Sequence, residues 1–97
     1  MDRNLNWNNM SIGTQLLNVG SEVARAIKFK NKNNSNAMYD FYNKAVELLQ
    51  RSKVDPKNKK RISELDLYSE ELFDFFIGDN IYKNTDESIM KTYNEFM

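Results

Sequence analysis

The chain contains no cysteine and no histidine in 97 residues, and only three glycines and one proline. Each shortage excludes a class of chemistry. Without cysteine there are no disulfides and no thiolate metal sites. Without histidine there is no imidazole to act as general base, pH switch or zinc ligand, and Ser-His-Asp triads are ruled out. The glycines stand at Gly13, Gly20 and Gly78, too dispersed for a phosphate-cradling loop. Long apolar runs are missing too. The longest is Phe75-Phe76-Ile77, far from the roughly 20 residues that span a bilayer. The stretch from Met1 to Trp7 lacks the apolar segment of a signal peptide. These absences lead to the expectation of a cytoplasmic protein, bacterial in style, with no membrane attachment.

What is present reads as one globular domain over residues 1–97. Apolar residues make up 40% of the chain, with six Phe, five Tyr and one Trp to fill a core, a content that argues against disorder. The formal net charge of zero hides a sorted distribution. Residues 1–61 carry twelve Lys/Arg against five Asp/Glu, and residues 62–97 carry two against nine. Oppositely charged amphipathic segments can fold back on one another.

Four segments have helical periodicity. Met10, Ile12, Leu16, Val19, Val23, Ala26, Ile27 and Phe29 recur at steps of three and four, predicting a helix from about Asn9 to Lys32. Gly13 and Gly20 fall on an adjoining stripe, where each costs about 1 kcal/mol against Ala; the pattern implies a close approach by another backbone, the alternative being a kink. Asn34 or Ser35 caps a second helix bearing Met38, Phe41, Tyr42, Ala45, Val46, Leu48 and Leu49, which must end before Pro56. Asp55-Pro56 reads as the start of a third, with Ile62, Leu65, Tyr68, Leu72, Phe73, Phe76 and Ile77 inward and Gly78 as its stop. Thr85 or Asn84 caps a short last helix lined by Ile89, Tyr93 and Phe96, with Met90 and Met97 alongside. No stretch alternates at period two long enough for a strand. The expected fold is all-α: an antiparallel up-and-down four-helix bundle of three long helices and a shorter C-terminal one.

Three surface features are open to a functional reading. The cations Arg51, Lys53, Lys57, Lys59, Lys60 and Arg61 surround the second inter-helix connection. Four of them crowd the expected N-terminal end of the third helix, which the helix dipole disfavours. They are either solvated and paired within the chain, or an anion or nucleic-acid patch. With no interleaved aromatics the patch would bind non-specifically rather than read bases. The acidic residues Glu64, Glu71, Asp74 and Asp79 could offer oxygens to Mg²⁺ or Ca²⁺, but the Asp79-Asn80 turn lacks EF-hand spacing, and no metal or cofactor is expected. Finally, Tyr68, Phe73, Phe75 and Phe76 are too wide for one stripe, since Phe75 lies about 100° from Phe76 on a helical wheel. Trp7, Tyr68 and Phe75 are therefore candidates for a partner surface, the alternative being a broad buried face; Trp7 and Leu5 either fold over the bundle end or reach a neighbouring chain. A homodimer or a single protein partner would be the user of such a surface.

The layout, together with the stretches Glu22-Val23-Ala24-Arg25-Ala26-Ile27, Phe41 to Leu49 and Asp74 to Asn80, resembles small uncharacterised bacterial helical-bundle proteins. More remotely it is similar to the superfamily of HEPN domains and substrate-binding subunits of bipartite nucleotidyltransferases. That resemblance implies a bundle that dimerises or pairs with a nucleotidyltransferase-type partner. HEPN ribonucleases carry an arginine followed closely by a histidine; Arg25, Arg51 and Arg61 have none downstream, so no active-site residue carries over. The expectation is a non-enzymatic binding or accessory module, with a nucleic-acid-associated regulator as the alternative.

Overall fold

The computed structural model describes residues 3–96, with side chains from Asn6 onward. Met97 and the Leu5 side chain, both invoked above, lie outside the described residues. Among those residues all regular structure is helical: α1 (Arg3–Asn8), α2 (Ile12–Asn31), α3 (Ser35–Val54), a 3-10 segment (Pro56–Arg61), α4 (Ile62–Phe76) and α5 (Asp86–Asn94).

Local chemistry sets most of these boundaries. Ser11 caps α2, its Oγ accepting from the Thr14 N–H at 3.1 Å. Asn34 caps α3, its Oδ1 accepting from the Ala37 N–H at 3.2 Å. Asn33 supplies the left-handed residue of that link, with φ of 58°. Thr85 and Ser88 form a reciprocal capping box at the start of α5. Asp86 and Glu87 occupy its first turn, at the positive end of the helix.

Two expectations need correction. The N-terminal stretch carries a short helix of its own, α1, which the periodicity from Met10 onward does not reach. The Asp55-Pro56 start signal is real, with the Asp55 side chain accepting from the Lys57 N–H, but it opens a 3-10 turn, so α4 begins only at Ile62. Cations at the dipole's wrong end weaken an α-helical start there. In addition, Asn58 is drawn inward, its Nδ2 donating to the Ser52 carbonyl at 2.9 Å.

The core joins Leu16, Val19, Val23, Ala26 and Ile27 of α2 with Met38, Ala45 and Leu49 of α3, Leu65, Leu72 and Phe76 of α4, and Ile89 and Tyr93 of α5. Phe29 and Phe41 stack with centroids 5.5 Å apart at the α2–α3 link, and Trp7 meets Ser52 at the other end. Tyr42 packs on Phe76, while Lys53 pairs with Asp66. The close approach forecast by the glycines occurs at Gly20, which lies against Tyr93 of α5. Phe73, Ile62 and Ile77, expected inward, are not in the core. Leu65, Leu72 and Phe76 form the buried stripe of α4, and Phe73 is rotated about 100° from Leu72.

Candidate functional site

At the end of the molecule where α1 begins, five polar or amphipathic side chains are buried together: Trp7, Gln15, Ser52, Asp55 and Asn58. Gln15 is the hub. Its Nε2 donates to the Trp7 carbonyl (2.9 Å) and to Asp55 Oδ2 (2.8 Å), and its Oε1 accepts from Ser52 Oγ and Asn58 Nδ2, both at 2.9 Å. Trp7 Nε1 donates to Ser52 Oγ at 3.3 Å. Burial alone would raise the Asp55 carboxyl, but hydrogen bonds from Lys57 and Gln15 hold it below the usual carboxylate range. The named side-chain groups of this cluster have partners within the chain, so it acts as a lock between α1, α2, α3 and the 3-10 segment. It is not a vacancy for a ligand. Of the two placements open to Trp7, the structure has the first: it is 5% exposed, folded over the end of α2 and α3.

The same region dissolves most of the expected basic patch. Lys57 pairs with Asp55 and also donates to the Asn8 carbonyl at 2.8 Å. Arg61 makes two 2.7 Å hydrogen bonds to Glu64, Arg51 pairs with Glu47, and Lys53 with Asp66. Of the six cations, only Lys59 and Lys60 lack an acidic partner among the described residues. Charge that is already neutralised locally releases few counterions on meeting a phosphate backbone, which weighs against the nucleic-acid reading.

The other two aromatic candidates are also engaged internally. The Tyr68 hydroxyl donates to Glu64, and its ring meets Tyr93 edge-on with centroids 6.1 Å apart. Burial and the Glu64 carboxylate push its phenol up to about 12. Phe75 packs edge-on against Phe76 at 4.9 Å and is covered by the Lys30 ammonium, 4.3 Å from its ring centroid. Lys30 in turn bonds Asp86 at 2.6 Å, with Asn31 adding a 3.0 Å bond to the same carboxylate. Neither Phe75 nor Phe76 leaves the core side; the residue that does is Phe73.

Much of the apolar surface that faces outward lies on α4 and the loop after it, with Tyr39 and Val54 of α3 also exposed. Phe73 is 54% exposed, Leu67 43%, Ile62 37%, Ile77 38%, and Ile81 in the loop 78%. Ile62, Asp66, Phe73 and Ile77 fall within about 60° of one another on a helical wheel. The loop is pinned against the helix by Asp74, which is buried and accepts from the Ile81 N–H (2.7 Å) and the Tyr82 N–H (2.9 Å). Left-handed conformations at Asn80 and Lys83 (φ of 54° and 56°) turn the chain there. The Tyr82 hydroxyl then reaches back to Glu70 at 3.3 Å, laying that side chain along the outer face of α4. This surface is partly legible in the sequence: the excess of apolar residues on one helix is visible, but which of them lose their cover is not. Elsewhere, a groove of about 240 Å³ is lined by Gly20, Ser21 and Ala24 of α2 and by Met90 and Tyr93 of α5.

Among the described residues no group of three or more acidic side chains converges to hold a metal ion, and no helix is long and apolar enough to cross a membrane. No family model, curated protein or solved structure matches this chain.

Proposed function

We propose that the helices form an antiparallel up-and-down bundle that serves as a non-enzymatic binding or accessory module, acting by self-association or by docking one protein partner. The working surface is the outer side of α4. The observation that carries the reading is the contrast between Phe73, a large aromatic left 54% exposed in mid-surface, and the buried polar cluster around Gln15, whose bonds are made internally. An apolar patch on a pinned, ordered surface is characteristic of an interface. The up-and-down arrangement is supported by the pairings Phe29–Phe41, Trp7–Ser52, Tyr42–Phe76 and Lys53–Asp66. The nucleotidyltransferase-type protein implied by the resemblance is one candidate partner.

The test is association measured with and without Phe73→Glu. The chain is sedimented alone and co-purified with the products of its neighbouring genes. A self-complex or a hetero-complex that Phe73→Glu abolishes, with helicity unchanged by circular dichroism, is the expected result. No complex of either kind, or one indifferent to Phe73→Glu, overturns the reading.

A further inference from the structure

We infer that the stacked phenylalanines at the α2–α3 link, with the lysines around them, form a binding surface for single-stranded nucleic acid. This surface lies at the opposite end of the molecule from the Gln15 cluster and shares no residue with the outer side of α4.

Helical spacing assembles it. Arg25, Lys28 and Phe29 fall within about 100° of one another around α2, and Phe41 and Lys44 within about 60° around α3. The Phe29 and Phe41 rings meet between the helices, 5.5 Å between centroids and 3° from parallel. Both residues are only half-buried, so each keeps part of its surface at solvent. Four cations gather on the pair. Lys44 Nζ lies 4.9 Å and the Arg25 guanidinium carbon 6.0 Å from the Phe41 centroid. Lys32 Nζ lies 5.9 Å and Lys28 Nζ 6.0 Å from the Phe29 centroid. All four of these residues are exposed.

The charge here is not neutralised within the chain. Between Arg25 and Lys44 the sequence holds five cations and one acid, Asp40. Arg25 pairs with Glu22 and Lys30 with Asp86, but Lys28, Lys32 and Lys44 have no acidic partner among the described residues. The connection around Pro56 is the reverse case, with four of its six cations paired to acids and no aromatic among them. A lysine that rests on an exposed ring is weakly held, so it turns readily to a phosphate oxygen, which makes the stronger, charge-assisted bond.

The combination selects the occupant. An acidic peptide or an anionic membrane surface would use the lysines but has no flat π face for the rings. A duplex offers phosphates but keeps its base faces stacked in its interior. A single strand presents phosphates and unstacked bases together, which is the pairing of cations and aromatics that such strands are bound by. Recognition of this kind tolerates sequence and depends strongly on salt.

The test is fluorescence anisotropy of a labelled oligothymidylate of about ten nucleotides, titrated with the full chain at several salt concentrations. The expected result is binding whose log affinity falls against log salt with a slope of about −2, from three lysines meeting phosphates. Lys28→Gln, Lys32→Gln and Lys44→Gln should each flatten that slope by about 0.7. Phe41→Leu keeps apolar bulk but removes the stacking face, and should weaken binding about fivefold or more with helicity unchanged by circular dichroism. Phe29→Leu is the second variant should Phe41→Leu lose helicity. Lys59→Gln/Lys60→Gln removes equally free charge from the far end, well beyond a Debye length, and should leave affinity within about twofold.

A flat titration at low salt overturns the inference. Weakening by Lys59→Gln/Lys60→Gln as large as that from Lys28→Gln/Lys32→Gln overturns it too, because diffuse charge would then be the binder. A duplex of the same length bound as tightly as the single strand, or binding indifferent to both Phe41→Leu and Phe29→Leu, overturns the role of the rings. Poly-glutamate or phosphatidylserine vesicles that displace the label as efficiently as unlabelled oligothymidylate overturn the choice of occupant.

Discussion

Gly20 in α2 and Tyr93 in α5 touch so closely that a Cβ built on the glycine would lie 2.6 Å from the Tyr93 Cβ. That distance is not one that carbon atoms tolerate, so the contact requires glycine. Gly20→Ala sets two effects against each other: a gain of about 1 kcal/mol in helix propensity and an overpacking penalty of about 1–3 kcal/mol. The neighbour is a Cβ anchored to backbone and cannot swing away, so the penalty should win. Chemical denaturation should show a net loss of up to about 2 kcal/mol. Gly13→Ala is the control, because its added carbon meets only the Phe96 ring at an ordinary 3.5 Å and should cost nothing.

The buried cluster gives a second prediction. Gln15→Leu keeps the volume but strands the Ser52 and Asn58 donors that pointed at Oε1. The Trp7 carbonyl and Asp55 Oδ2 each lose one bond but keep the Met10 N–H and the Lys57 ammonium. Unsatisfied buried groups cost about 1–3 kcal/mol each, so a loss of about 2 kcal/mol or more is expected. Trp7 is the only tryptophan, and its fluorescence reports this end of the molecule directly. Its native emission should be blue-shifted, and should move toward that of exposed indole in the variant before the helical signal is lost. Lys57→Ala, which removes a partner of Asp55, should destabilise more than Lys59→Ala or Lys60→Ala, both expected within about 0.5 kcal/mol of the parent.

The fold was largely legible because helical periodicity is a backbone property. The seam Leu16, Val19, Val23, Ala26 and the caps at Asn34 and Thr85 are where the spacing puts them. The short α1 is not, since six residues are too few for a period to show. The polar cluster left a trace that is easy to pass over. Gln15 lies one helical turn before Val19 on the buried face, and Ser52 continues the steps Ala45, Leu49 of the α3 seam. A polar residue on an apolar stripe needs partners, but their identity depends on which helix ends meet, which no local pattern specifies. For α4 the limit is different. Seven apolar residues invite a core reading, yet α4 packs chiefly on α3 while α5 lies mainly on α2, so the side of α4 that carries Phe73, and Ile77 at its end, stays outside.

Acid should destabilise the fold through three identified carboxylates. Asp55 is lowered against its own burial by Lys57 and Gln15; Glu64 is lowered by Arg61 and Tyr68, and Asp86 by Lys30 and Asn31. A carboxyl with a depressed folded-state value contributes stability above its unfolded value, about 3.9 for Asp and 4.3 for Glu. That contribution disappears as pH falls through the folded-state value. The melting temperature should therefore change little between pH 7 and about pH 5 and drop below about pH 4. Asp55→Asn retains a capping oxygen but loses the charge held by Lys57. It should melt lower at neutral pH and show a shallower acid decline; an unchanged acid slope would count against Asp55 as a contributor.

At the alkaline end the sign is governed by Tyr68. Its phenol is raised by burial first and by the Glu64 carboxylate second, to about 12, so the folded chain keeps this proton where the unfolded chain, near 10, has lost it. The resulting stabilisation is complete below about pH 10 and vanishes as pH rises toward the folded-state value. Carbon-13 labelling at tyrosine Cζ, with the Tyr68 signal assigned by its loss in Tyr68→Phe, follows the group individually. Its chemical shift should still report neutral phenol at pH 11. Glu64→Gln removes the anion that accepts the hydroxyl proton but leaves the burial and the Tyr93 edge contact in place. The titration in that variant should move down, toward but not to 10, while Arg61 loses its ion-pair partner and α4 loses the acid of its first turn. A Tyr68 signal that titrates near 10 in the parent protein would mean that its hydroxyl is not held by Glu64 and that the α4–α5 contact is looser than described.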